Sequence, residues 1–289
     1  MKRNAIIRIL LYSIAIFLLV GILASGLLLN TFIVNTDWSS VFHSEWYNTT
    51  GEQASAGFVS ADEVKDIKIE WAAGSISIVP GVIDNILFSE TQDLKEEDRM
   101  VFAQQGDTLI IRFTNIRANF GVSIDAPKDL IITVPQNWTG QELEIDAASA
   151  SVYVTGLTFD TVDFDGASGN FRFEDCNVGT LDIDTASGDI HYSGTLQELD
   201  CDAVSASCTL ALTNAPRSID ADMASGDLAL TLPWDCGFSL KLDTLSGVFT
   251  SDFLTSTQNG KYIYRDGRCR INISVMSGDV NIKKASAAE

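Results

Sequence analysis

The chain has 289 residues, room for one long domain or two short ones, and only five prolines, which suits long regular strands. Nineteen basic residues stand against 39 acidic ones, a net charge of −20 that repels phosphate backbones and anionic headgroups and excludes nucleic acid as a partner. The five cysteines form no CxxC and no Cys/His spacing for zinc, so they read as small buried apolar residues, with a disulfide framework as the alternative.

Lys2, Arg3 and Arg8 lead into a run from Ile9 to Leu29 that carries no charge, and no acidic residue precedes Asp37. About 20 apolar residues span a bilayer as a helix, and a basic flank keeps the N-terminus in the cytoplasm. Residues 1–36 are therefore predicted as a cytoplasmic tip and a single-pass signal anchor in the cell membrane, with the bulk of the chain extracytoplasmic. The alternative is a cleaved signal peptide, but the run is longer than the usual apolar region and Leu23-Ala-Ser-Gly26 makes a poor cleavage site. Residues 37–60, with Trp38, Phe42, Trp46 and Tyr47, read as a juxtamembrane linker.

Residues 61–140 read as the N-terminal capping part of a β domain. Lys65 to Glu70 alternates like a half-buried strand, Ala73-Gly-Ser-Ile-Ser-Ile78 turns a corner into a second strand, and Ile86–Ser89 and Leu109–Phe113 are further strands. Asp93 to Arg99 is a charged excursion with room for one helical turn.

Residues 141–284 say one phrase seven times. Val162-Asp-Phe-Asp-Gly-Ala-Ser-Gly-Asn-Phe-Arg-Phe173 and Leu181-Asp-Ile-Asp-Thr-Ala-Ser-Gly-Asp-Ile-His-Tyr192 are typical, and the other copies begin at Leu143, Leu199, Ile219, Leu240 and Ile271. The shared serines, Ser149, Ser168, Ser187, Ser205, Ser225, Ser246 and Ser277, are spaced by 19, 19, 18, 20, 21 and 31 residues. Each phrase is a strand of alternating apolar and acidic residues, a tight Ser-Gly corner and a second alternating strand. A fixed period of this size predicts an all-β solenoid of two-strand repeats in which successive copies stack in register; an antiparallel β-sandwich is the alternative, but it needs no such column identity. Gly169, Gly188, Gly226, Gly247 and Gly278 supply the corners with backbone angles closed to other residues. In the long final spacing, Lys261–Tyr264 and the strand from Cys269 suggest a hairpin closed at Asp266-Gly267 that covers the end of the stack. Residues 285–289 are a polar tail.

These serial phrases, with Leu130-Ile-Ile-Thr-Val-Pro135 before them and Met276-Ser-Gly-Asp-Val-Asn-Ile282 at their close, resemble the toastrack domain, a bacterial β-strand-repeat domain of unknown function classed with adhesins. The resemblance runs from about Val64 to Lys284. It implies an envelope-associated β-solenoid of surface-binding or stress-sensing proteins, with no catalytic residues to carry over. The Ser149 and Ser205 copies depart from the pattern, with Ala150 and Ala206 in place of the corner glycine, and less tightly turned corners are expected there.

The outward positions of the first strands form two columns of carboxylates, Glu144, Asp163, Asp182, Asp200 and Asp220 in one and Asp146, Asp165, Asp184, Asp202, Asp222 and Asp243 in the other. In a stack they recur about every 4.8 Å, and like charges facing each other destabilise a sheet. Hard cations offset such charge, so Asp163, Asp165, Asp182, Asp184, Asp200, Asp202, Asp220 and Asp222 are candidate ligands for Ca²⁺; the alternative is that one column caps corner amides and the other is solvated. No other cofactor is expected. His191 belongs to no triad, and a serine repeated in every copy is not a nucleophile's signature, so no enzyme is expected. The expected function is a non-catalytic binding, adhesin-like or envelope-stress-sensing module, or a Ca²⁺-dependent scaffold; a β-helix acting on polysaccharides is the least favoured reading. The membrane holds it through the N-terminal helix, and its expected partner is a membrane signalling protein, a basic protein or a cell-wall polymer.

Overall fold

The computed structural model describes residues 51–114, 116–118, 122–124 and 127–285. The predicted membrane anchor, the first part of the linker and the end of the tail lie outside them. The described residues carry 20 strands and one 3-10 turn, Glu96–Asp98, which falls inside the charged excursion.

The N-terminal part contains β1 (Glu52–Gln53), β2 (Ala56–Ser60), β3 (Asp66–Gly81), β4 (Asn85–Glu90), β5 (Val101–Gln105), β6 (Thr108–Arg112), the separate pair β7 (Ile116–Ala118) and β8 (Val122–Ile124), and β9 (Lys128–Pro135). β3 is the first full coil. Its first half pairs in parallel with β6 and its second half with β9. β5 then closes the outer edge of β6, and β4 closes that of β9; both pair antiparallel. β1 and β2 extend this cover, so the β domain begins within the stretch that the sequence suggested was linker. The cap also holds a buried ion pair. Lys128 Nζ lies 3.2 Å from Glu90, whose other oxygen accepts the Met100 N–H at 2.9 Å, and neither charged side chain is more than 4% exposed. Burial pushes the Lys128 ammonium below its ordinary range, opposed by the Glu90 carboxylate. Lys128→Met should cost about 3–5 kcal/mol in urea unfolding, because it strands a buried carboxylate, and adding Glu90→Gln should restore much of the loss.

The repeats form β10 (Thr139–Thr155), β11 (Thr158–Ser168), β12 (Phe171–Leu212), β13 (Ser218–Ser225), β14 (Leu228–Leu232), β15 (Phe238–Ser246), β16 (Phe249–Ser251), β17 (Ser256–Gln258), β18 (Lys261–Tyr264), β19 (Cys269–Ser277) and β20 (Val280–Lys284). All seven copies stack in parallel with corner serines in register, such as Ser168 with Ser187 and Ser205 with Ser225. β12 is long enough to run through two coils and pack on itself, with Gly194 against the Cys176 carbonyl. This is the solenoid, not the antiparallel sandwich. Apolar positions of both strands turn inward: Phe164 faces Phe171 at 4.9 Å between ring centroids, Phe171 stacks on Phe173 at 4.4 Å, and Tyr192 continues the row. Each ring buried this way contributes about 2–3 kcal/mol.

The order of coils departs from the order of copies. The last copy, β19 and β20, inserts between the coil of β13 and β14 and that of β15 and β16. The sixth copy is therefore the end coil. The N-terminal end has the same arrangement, since β6 and β9 lie outside β3 although they follow it in the chain. The hairpin near the C-terminus also differs from expectation. It joins β17 and β18 through Asn259 and Gly260, both at positive φ, and β18 pairs antiparallel with the outer edge of β15 at Phe238–Leu240 rather than with β19. Asn-Gly is the strongest short hairpin signal, and here it outweighs Asp266-Gly267, which makes only a turn. Among the described residues no strand pairs with the outer edge of β15 beyond Leu240, and Leu245 and Val248 are exposed there.

Candidate acidic ladder

Strand alternation turns the second and fourth residues of each copy outward, and the parallel register lines them up. One column runs Lys68, Glu144, Asp163, Asp182, then Asp200, Asp220, Asn272 and Lys241. The other runs Arg112, Glu70, Asp146, Asp165, Asp184, then Asp202, Asp222, Ser274 and Asp243. Ten carboxylates thus occupy five successive coils.

Both ends of the ladder are neutralised. Lys68 Nζ is 2.7 Å from Glu144 and 3.9 Å from Asp146, and Arg112 Nε is 2.9 Å from Glu70. At the far end the Asn272 amide donates to Asp220 at 2.6 Å, with the Arg270 guanidinium 3.7 Å from the same residue. Asn272 and Lys241 belong to the two least acidic copies, and the inserted order of the last coils is what brings them to the ladder's end. Sequence periodicity alone missed Lys68 as the opposite terminus, although it occupies the outward position of the Lys65–Glu70 strand.

Between the ends the charge is held above its ordinary cost. Burial pushes Asp146 up to about 6, with Glu144 and Asp165 adding to it and Lys68 opposing. Burial, then Asp200 and Asp163, raise Asp182 to about 6. Burial, then Asp184 and Asp222, raise Asp202 to about 7. Asp163 and Asp200 are raised by the same two causes, partial burial first and neighbouring carboxylates second. Among the described residues no three His, Cys, Asp or Glu side chains converge to hold a metal ion. The ladder offers instead a line of separate carboxylates at strand spacing.

Corner amides are capped by a different column from either of these. At three corners the residue after the glycine accepts an N–H from the adjacent coil: Asn170 Oδ1 from Asp189 at 3.1 Å, Asp227 Oδ1 from Asp279 at 2.8 Å, and Asp279 Oδ1 from Val248 at 2.8 Å. Ser151 does the same for Asn170. Corner glycines approach the backbone of the neighbouring coil closely, and Ala150 and Ala206 fill the same station without left-handed backbone angles. A shallow depression of about 190 Å³ lies over the Ala206 corner between Asn170, Asp189 and Ser207, below the usual volume of a small-molecule pocket. His191 stands on an outward position two residues beyond Asp189.

A sequence model of the Toastrack DUF4097 family matches residues 64–283. No curated protein matches. Among solved structures, a candidate adhesin from Bacteroides fragilis is 12% identical, with 78% of this chain and 95% of that one covered and a TM-score of 0.45. A candidate cell adhesion protein from Clostridium sporogenes is 13% identical, with 81% and 100% covered and a TM-score of 0.36. A candidate lipid-binding protein from Parabacteroides distasonis is 12% identical, with 80% and 96% covered and a TM-score of 0.38.

Proposed function

The chain belongs to the Toastrack DUF4097 family, and from that premise we propose that it is a non-catalytic, adhesin-like binding module, anchored in a bacterial cell membrane, that engages a basic or cation-bridged partner along its acidic ladder. The observation that supports this reading most is the pair of in-register carboxylate columns, with Asp146, Asp182 and Asp202 raised to about 6, 6 and 7. A rigid row of like charges is relieved by any ligand that brings positive charge at matching spacing, so binding free energy is released without refolding. A basic protein supplies that charge directly. An anionic wall polymer needs a divalent cation such as Ca²⁺ between it and the ladder. The repetition of the same groups over five coils suits an extended ligand better than a reaction centre, which needs a few groups set apart by their environment. The charge-free run from Ile9 to Leu29 supports the membrane anchor.

The test uses the full-length chain in detergent, retained on isolated cell walls with and without millimolar Ca²⁺. Asp182→Asn, Asp184→Asn, Asp200→Asn and Asp202→Asn together should lower retention at least tenfold, while a basic polypeptide added in solution should compete with the wall for the unsubstituted chain. Retention that is the same in both forms would sink the proposal.

A further inference from the structure

All five cysteines are buried, but they are not alike. Cys176 is satisfied alone, its thiol facing the Val154 and Glu174 carbonyls at 3.7 and 3.4 Å. Cys201 and Cys208 sit on facing strands of one coil, inward stations equivalent to those of Phe164 and Phe171, and parallel ladders fix the strands that carry them. Cys236 and Cys269 are placed otherwise. Cys236 ends a turn, with its N–H on the Pro233 carbonyl at 3.0 Å, and so lies outside any strand. Cys269 opens β19, its N–H donates to the Gly237 carbonyl at 2.9 Å, and its register partner is Phe238. Gly237 makes the approach feasible, since a Cβ there would meet Asp266 Oδ1 at 1.9 Å. The two thiols act on each other, as Cys201 and Cys208 also do: the neighbouring Cys269 holds Cys236 below its ordinary range, and Cys236, with burial, pushes Cys269 up.

We propose that Cys236 and Cys269 are a disulfide site that staples the end coil of the solenoid. The segment between them is β15 to β18, the whole of the end coil and its hairpin. Among the described residues no further coil stacks beyond it, so its closure depends on one neighbouring coil, β19 and β20. A cross-link between the start of β15 and the start of β19 fixes that neighbour in place. Cys236 lies in a turn that no ladder fixes, which lets the pair reach the required geometry, whereas Cys201 and Cys208 are held on both sides by ladders.

The bond forms by thiol–disulfide exchange. The Cys236 thiolate attacks one sulfur of an external disulfide, whether glutathione disulfide or an oxidase of the envelope, and releases the other sulfur as a thiolate. Cys269 gives up its proton and attacks the Cys236 sulfur, which expels the second thiolate. Two electrons and two protons have then passed from the pair to the oxidant, which is reduced to two thiols. At 1% and 2% exposure, both sulfurs are covered in the finished fold, so exchange takes place before the end coil closes. The presence of an oxidant in the cell rests on the extracytoplasmic placement proposed above; the pairing itself does not.

Two arms separate these. In the first, the full-length chain is reduced, denatured and refolded in detergent in a glutathione redox buffer, trapped with N-ethylmaleimide and mapped by non-reducing mass spectrometry. A peptide linked through Cys236 and Cys269 is expected, lighter by two hydrogens. Its melting temperature should fall roughly 5–10 °C on reduction, with no such fall in the double variant Cys236→Ser, Cys269→Ser. Free thiols at both positions, or a link through Cys176, Cys201 or Cys208 instead, overturn the pairing. In the second arm, protein is trapped directly from cells. A link seen after refolding but not here overturns the disulfide as the native state and points to the placement as the fault.

Discussion

The protein should melt several degrees higher at pH 5 than at pH 8. Asp146 and Asp182 are raised to about 6 and Asp202 to about 7, with Asp163 and Asp200 shifted the same way, whereas in the unfolded chain all five titrate near 4. Between about pH 4 and pH 7 the folded chain therefore binds more protons than the unfolded one. The slope of unfolding free energy against pH is negative there: the contribution is fully present below pH 4 and is lost as pH rises through 6 and 7. The groups are only half-buried, so screening by solvent reduces the sum, and about 2–4 kcal/mol across the window is a discounted figure. Asp182→Asn with Asp202→Asn should flatten the profile, raising the melting temperature at pH 8 and leaving it little changed at pH 5. Thermal unfolding at fixed ionic strength reads both effects. A melting temperature that rises with pH would show that the columns are not in register or are fully solvated.

Gly188→Ala should cost about 3 kcal/mol or more, among the largest effects expected of a single added methyl in this chain. Gly188 sits at φ +132°, and a Cβ on it would lie 1.8 Å from the Gly169 carbonyl oxygen. Backbone meets backbone at this point, so no side-chain rotation relieves the clash and the coils must part locally, with the loss of stacked pairs on both sides. Gly106→Ala is the control. Its φ is +65°, but nothing lies within 4 Å of the added methyl, so only the left-handed penalty of about 1 kcal/mol applies. Urea unfolding of both variants compares the two costs directly. Equal losses would mean that stacking does not bring the corner of one coil onto the carbonyl of the next.

Much of this was legible from residues alone. The recurrence of Ser-Gly, the alternation around it and the constant column identity encode a parallel stack, because only stacking asks the same residue type of the same station. Two outward carboxylates per copy follow from that register. Three things were not legible. The copies are so alike at their pairing edges that the pattern does not say which lies beside which, so the insertion of the last copy ahead of the sixth is visible only in the strand pairing. Lys68 was visible as an outward residue, yet its meeting with Glu144, 76 residues away, depends on β3 pairing with β10 across the whole intervening cap. Amide capping by Asn170, Asp227 and Asp279 was not foreseen, since sequence gives the distance of a side chain from its own corner but not from the corner of the next coil. The Asn259-Gly260 signal, in contrast, was present and outranked by a weaker one.

The crossed order of coils at the two ends bears on how such a chain can lengthen. A copy duplicated among β10 to β14 meets faces identical to those it was copied from and slides into the stack, adding about 4.8 Å and two more carboxylates. A copy duplicated after β20 finds no vacant face beside its own coil, because β19 and β20 already lie between two coils. Gene duplication therefore lengthens this protein most simply from within, as leaves are added to an extending table. Lys68 and Arg112 at one end and Asn272 at the other stay the terminal groups of the ladder whatever its length, while the span and charge offered to a partner grow in fixed steps.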